Sequence, residues 1–204
     1  GSTVVFLDST VVNVALPPIA ADLDAGLAGQ QWVVEAYMLT MVALLLVGGS
    51  LGDQFGRRRV FVIGLVAFGA TSVLCAAAPS DEFLVVARAL QGIAGALLVP
   101  GSLAIVAATF EGEARGKAVG TWTAWTGIAT VIGPAGGGAL IDALSWRAIF
   151  WVNIPLIAAT VALTMHSVRE SRDPDAFRGI DWAGVGLSAA GLAGPVFALI
   201  EQPA

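Results

Sequence analysis

Gly49-Ser50-Leu51-Gly52-Asp53-Gln54-Phe55-Gly56-Arg57-Arg58-Arg59 sets one acid and three arginines among glycines, between two long apolar runs. Charge this dense cannot rest in hydrocarbon, so the stretch reads as a tight loop at a membrane surface. Three adjacent arginines in a short loop also place that loop on the cytoplasmic side. A positive-inside anchor explains the arginines but not the setting of Asp53 between Gly49, Gly52 and Gly56.

Outward from this loop the chain is built for a bilayer. Of its 204 residues 57% are hydrophobic and 12% charged, and the mean hydropathy is +0.84. Soluble domains carry about 25% charged residues. Spanning a bilayer as helix takes about 20 mostly apolar residues, and seven segments qualify: roughly 1–20, 32–51, 60–78, 83–109, 117–141, 147–167 and 183–200. The chain begins and stops in or just past such runs, so a piece of a longer protein is expected. Net charge is −5, but the charges lie in loops and form no single acidic face.

The polar breaks alternate in sign. The second holds Arg57, Arg58 and Arg59, the fourth Arg115 and Lys117, and the sixth Arg169, Arg172 and Arg178. The first and third hold Asp22, Asp24, Asp81 and Glu82 without a lysine or arginine, and the fifth holds Asp142 and Arg147. Even-numbered breaks are therefore expected to be cytoplasmic, with a cytoplasmic N-terminus. An internal repeat agrees. Shifted by the distance from Gly49 to Gly138, Gly49-Ser50-Leu51-x-Asp53-x-Phe55 falls on Gly138-Ala139-Leu140-x-Asp142-x-Leu144. Arg58, Val60 and Phe61 then fall on Arg147, Ile149 and Phe150. Three spans is an odd number, so the copies point in opposite directions, the arrangement of inverted three-plus-three transporter repeats. The expected fold is all-α and integral to the membrane: a six-helix bundle over 1–167, a cytoplasmic linker over 168–182 and a seventh membrane helix within 183–204.

Ionisable residues inside spans are costly and mark function. Asp8 lies in span 1 within Phe6-Leu7-Asp8-Ser9-Thr10-Val11-Val12-Asn13. A carboxyl in apolar surroundings can take up and release a proton, which suits a coupling site; the bland reading is a structural acid paired with an arginine or capping a neighbouring helix. Glu35, in Gln31-Trp32-Val33-Val34-Glu35-Ala36-Tyr37, is a second proton or cation candidate, or an acid that complements a helix dipole. Trp32 and Tyr37 also fit an interfacial aromatic belt. Arg88 shares a helix face with Gln91, Gly92, Gly95 and Val99. It can pair with Asp8 or Glu35, face an aqueous cavity, or snorkel outward; Gln91 on the same face favours the cavity. In span 5, Gly133-Pro134-Ala135-Gly136-Gly137-Gly138 predicts a bend and a close helix contact.

Other chemistry finds no support. Cys75 has no cysteine partner, and His166 has no acid or serine at a recognisable spacing. There is no H-E-x-x-H and no phosphate loop, and no basic, aromatic-interleaved surface for nucleic acid. No enzyme activity, metal or cofactor is expected.

Together these motifs resemble the major facilitator superfamily. Gly49 to Arg58 resembles its loop between helices 2 and 3, with Gln54 in place of a basic residue and Gly52 in place of alanine. Arg88-Ala89-Leu90-Gln91-Gly92-Ile93-Ala94-Gly95-Ala96 resembles its helix-4 motif associated with proton coupling. Gly133-Pro134-Ala135-Gly136-Gly137 resembles the helix-5 motif of drug antiporters. Leu7 to Pro17, Trp146-Arg147-Ala148-Ile149-Phe150-Trp151-Val152-Asn153-Ile154-Pro155 and Ile180-Asp181-Trp182-Ala183-Gly184 are similar to motifs of its 14-helix drug/proton antiporters. The resemblance implies the N-terminal half and first linking helix of a rocker-switch exporter in the cell inner or plasma membrane. Its partners would be the lipid bilayer, a small-molecule substrate and the C-terminal half of the same transporter, with protons as the coupling ion. It assigns proton coupling to Asp8, Glu35 and Arg88, and the substrate cavity to Asn13, Trp32 and Gln91. The conformational gate falls to Gly49, Asp53, Gly56, Arg57 and Arg58, with Asp53 accepting from a helix start and pairing with a base. The helix-5 motif is Gly133, Pro134, Gly136 and Gly137. A dedicated metabolite or siderophore exporter of the same fold, and a non-transporting membrane protein that keeps the half-fold, are the alternatives.

Overall fold

The apolar runs become helices wherever the polar breaks release them. The computed structural model describes residues 1–173, 179 and 181–200. Its elements are α1 (Ser2–Leu23), α2 (Leu27–Phe55), α3 (Arg57–Ala76), α4 (Asp81–Thr109), α5 (Gly112–Ala143), α6 (Ala148–Trp151), α7 (Asn153–Ser167) and α8 (Trp182–Ile200). No strand occurs among the described residues, and seven helical segments are long and apolar enough to cross a membrane. Arg178, Ile180 and residues 201–204, which enter the expectations for the linker and last span, lie outside the described residues.

Local chemistry sets the boundaries. α2 ends at Gly56, whose φ of 109° suits glycine. α4 starts at Ser80, whose hydroxyl accepts from the Phe83 amide at 3.3 Å, with Asp81 and Glu82 in the first turn. The sixth span runs Ala148–Ser167, as expected, but is interrupted at Val152, which divides it into α6 and α7. Pro155 has no N–H to give the Trp151 carbonyl, which breaks the hydrogen-bond ladder there. Pro134 does not interrupt α5, which is helical from Gly112 to Ala143.

Packing follows the repeat. α2 lies along α4, and α5 lies along α1, the same pairing with the two copies exchanged. Missing side chains make both seams close. A Cβ on Gly48 would overlap the Ala96 carbonyl, and one on Gly92 would overlap Thr40 Oγ1 and the Tyr37 carbonyl. On the other seam, a Cβ on Gly133 or Gly137 would press into Thr10 or Val11. α3 packs on α4 and α7, while α8 lies against α2.

Contacts also sort the breaks by face. On one end Arg147 Nη1 donates to Asp22 Oδ2 at 2.5 Å and Nη2 to the Ala78 carbonyl at 3.1 Å. Trp146 Nε1 donates to the same Asp22 oxygen at 3.0 Å, and the Arg147 guanidinium lies 4.2 Å from the Trp146 ring centroid. This joins the first, third and fifth breaks. On the opposite end residues 168–173 fold onto the second break.

Two apolar layers fill the interior. Toward the Arg147 end sit Val11, Val12, Ile19, Val33, Leu84 and Phe150; toward the other end sit Val5, Tyr37, Leu65, Phe68, Leu98 and Ile157. Between them α1, α3, α4 and α7 each bring a polar side chain inward: Asp8, Ser72, Arg88 with Gln91, and Asn153.

Candidate functional site

Asp8 and Arg88 form an ion pair with Nη1 2.6 Å from Oδ2 and both side chains 1% exposed. Arg88 Nη1 also donates to Gln91 Oε1 at 2.6 Å, and Nε to the Val33 carbonyl at 3.2 Å. Its guanidinium lies 4.0 Å from the Tyr37 ring centroid, a cation–π contact in a dry setting. The second oxygen of Asp8 accepts from Asn153 Nδ2 at 2.8 Å and from Gln91 Nε2 at 3.3 Å. Ser72 Oγ accepts from Gln91 Nε2 at 2.9 Å and Asn153 Nδ2 at 3.2 Å. Asn153 Oδ1 is the buried side-chain polar atom left without a partner among the described residues.

Two buried charges are costly to desolvate, and such a pair persists only when hydrogen bonds satisfy its remaining donors and acceptors. Here both oxygens of Asp8 are engaged and three bonds plus a ring face hold Arg88. The cluster is a buried carboxylate whose counter-charge and donors all come from neighbouring helices, α4 and α7.

Of the expected proton residues, the structure brings Asp8 and Arg88 together and leaves Glu35 apart. Arg88 does not face an aqueous cavity: Asp8 lies opposite it between apolar layers. Gln91, expected at the substrate cavity, is instead fully buried in the same network. Tyr37 is buried under Arg88 rather than part of an interfacial belt, and its hydroxyl donates to the Val5 carbonyl at 3.2 Å. Glu35 and Asn13 line a cavity of about 420 Å³ with Gln30, Gln31 and the α8 residues Leu199 and Ile200. Trp32 is beside it, its ring centroid 6.0 Å from that of Phe197.

At the other end Asp53 Oδ1 accepts from Arg57 Nε at 2.8 Å, across the Gly56 turn between α2 and α3. The carboxylate on the start of α3 is not that of Asp53 but of Glu170, which accepts from the Arg58 and Arg59 amides at 3.0 and 3.1 Å. The Ser171 carbonyl accepts from the Arg57 amide at 2.8 Å, and the Asp53 carbonyl from the Asp173 amide at 3.1 Å. Glu170 also lies where a Cβ on Gly56 would stand, a second reason for glycine there. Arg58 Nη1 donates to the Val168 carbonyl at 3.2 Å. Gly49 is in ordinary contact with Pro100; the close approach belongs to its neighbour Gly48. In α5, Gly133 and Gly137 face α1 while Gly136 meets open space.

Glu170→Ala removes an acceptor from two helix N-terminal amides, a change of about 1 kcal/mol for a lost cap. Limited trypsin digestion should then cut faster at Arg169 and Arg172, with the bundle otherwise intact; unchanged cleavage would mean that Glu170 does not hold the linker.

Sequence reasoning missed Asn153, Ser72, Gly48 and Glu170. Asn153 had a signal, standing inside the Trp146–Pro155 motif, and Gly48 is the repeat mate of Gly137. Ser72 and Glu170 had none.

Membrane-crossing helices in two exchanged copies, with a charge pair sealed between them, define a half-bundle of a membrane transporter. The chain matches the Major Facilitator Superfamily over residues 1–200 and belongs to it; it is a multi-pass membrane protein of a family of transporters, not enzymes. It is 41% identical over 204 residues to multidrug resistance protein Stp of Mycobacterium tuberculosis, covering 100% of this chain and 38% of that one. It is 37% identical over 207 residues to the tetracenomycin C resistance and export protein of Streptomyces glaucescens, again covering 100% and 38%. With puromycin resistance protein pur8 of Streptomyces alboniger it shares 41% over 198 residues, 97% and 39% of the two chains. The chain thus spans about two-fifths of the length of these relatives. In fold it is similar to a bacterial homolog of the human lysosomal transporter Spinster in an inward-facing and occupied conformation. The TM-score is 0.69 at 19% identity, over 85% of this chain and 44% of that one.

Proposed function

We propose that this chain is the N-terminal half, with the first linking helix, of a 14-helix antiporter that exports small amphiphilic compounds in exchange for protons across the inner or plasma membrane. The observation that carries the reading is Asp8, an acid sealed in mid-bundle against Arg88. Relatives named for multidrug resistance and for antibiotic resistance and export support the substrate class.

Binding a proton at Asp8 removes the negative member of the pair and leaves Arg88 without its counter-charge. That state is costly in the packing described, so protonation biases the bundle toward an alternative arrangement. Substrate would be taken up where Asn13, Trp32 and Glu35 border the cavity, completed by the C-terminal half. Alternating access would then rock the two halves about that site. The Asp53–Arg57 pair and the Glu170 strap lie at the end that carries the arginine-rich breaks, here read as cytoplasmic, along with the N-terminus. There they would hold the gate, a charge cluster made and broken as the halves rock.

Asp8→Asn keeps the side chain's shape and leaves Arg88 an acceptor oxygen. In vesicles of the full-length transporter it is expected to abolish export driven by a pH gradient, while the purified protein stays monodisperse. Gradient-driven export at the normal rate in this variant would overturn the assignment.

A further inference from the structure

Asn153 is wholly buried on the first turn of α7, yet only its amide nitrogen is used. Nδ2 donates to Asp8 Oδ1 and Ser72 Oγ, while Oδ1 of the same amide has no partner. The orientation is forced by charge, because a carboxylate oxygen 2.8 Å away needs a donor facing it. A buried carbonyl without a donor is destabilising, and native proteins leave few such groups unexplained. The missing donor is one that Asp8 itself acquires on protonation.

We propose that Asn153 is a two-position reader of the charge on Asp8: its NH₂ faces the carboxylate, and its amide turns over to accept from the carboxylic acid. The inference rests on the reading of Asp8 as the proton site and adds how the bundle registers the proton. Asp8 Oδ1 is the oxygen that binds it, since Oδ2 is held by Arg88. The proton comes from the aqueous phase, and no other reactant is needed. After the turn Asn153 Oδ1 gains its bond, while its nitrogen leaves Asp8. Because Asn153 stands at the break between α6 and α7, the event is felt within the sixth membrane span. The ionisable groups facing this cluster are Asp8 on α1, Tyr37 on α2, Cys75 on α3 and Arg88 on α4; Cys75 Sγ lies 3.5 Å from Gln91 Oε1. Asn153 is a positioning residue here, acting through Asp8 rather than on substrate.

The test is infrared difference spectroscopy of the full-length transporter between high and low pH, with the carboxamide carbon of asparagine isotopically labelled. The expected result on acidification is a new carboxylic-acid band that Asp8→Asn removes. A side-chain amide carbonyl band should move to lower frequency with it, and both Asp8→Asn and Asn153→Ser should abolish that shift. The Asp8 band without the amide shift would overturn the reader and leave the proton site standing. No band assignable to Asp8 would overturn both. As a second measurement, Asn153→Leu removes a donor to a charged group and a weaker acceptor for the neutral one. The pH profile of export should therefore move toward higher pH by about one unit; an unmoved profile counts against the proposal.

Discussion

Arg88→Leu is expected to lower the melting temperature of the protein sharply, and adding Asp8→Asn is expected to restore much of the loss. Removing one member of a buried ion pair strands the other, at a typical cost of about 3–5 kcal/mol. A membrane bundle cannot relax that cost by letting water reach Asp8, because the Val11 and Phe150 layer closes one side and the Val5 and Phe68 layer the other. Leucine fills most of the arginine stem's volume, so the loss reflects charge rather than a cavity. Neutralising Asp8 in the same chain removes the stranded charge, leaving one new buried amide at position 8 that Gln91, Ser72 and Asn153 can satisfy. Thermal unfolding of the purified single and double variants measures this directly. If the double variant is no more stable than Arg88→Leu, the pair is not the dominant interaction of the interior. Transport should be lost in both, since the proposed proton carrier is disarmed in each.

Gly48→Ala is expected to destabilise the bundle by up to about 2 kcal/mol, and its repeat mate Gly137→Ala by clearly less. Both exchange a glycine for a better helix former, a gain of about 1 kcal/mol, and both force a methyl into a seam, a loss of about 1–3 kcal/mol. What differs is the neighbour. At Gly48 the methyl meets the Ala96 carbonyl and the Leu97 Cα, backbone atoms that move only if α2 and α4 separate. At Gly137 it meets the Val11 side chain, which can yield. Melting temperatures of the two variants should therefore split, with Gly48→Ala the lower. Equal melting temperatures would mean the seams are equally compliant.

Most of the architecture could be read in advance because the controlling signals are local or periodic. The length of the apolar runs determines how many spans there are. The arginines of the second, fourth and sixth breaks sort the ends, and the Gly49 and Gly138 copies place equivalent helices in equivalent seams. Pairing across helices is a different matter. Whether Arg88 takes Asp8, Glu35 or water depends on which faces meet in three dimensions, and spacing along α4 carries no information about α1. Asn153 looks like an ordinary residue near a helix start until α3 and α1 are brought against it. Gly48 and Gly49 look alike in the chain, and only the rotation of α2 on α4 decides which one touches. The split of the sixth span was legible in principle at Pro155, but a hydropathy window averages across such a break.

Arg147 carries a mechanical consequence. One guanidinium ties the end of α1 through Asp22, the turn after α3 through Ala78, and the entry to α6. Three connections that would otherwise flex independently share a single keystone, so this rim of the bundle resists splaying. In the proposed proton switch, force generated at Asp8 would then have little slack to dissipate into there. It would be delivered as tilt of the whole block, with the yielding joint at the opposite end, where a six-residue strap rests on the arginine-rich turn.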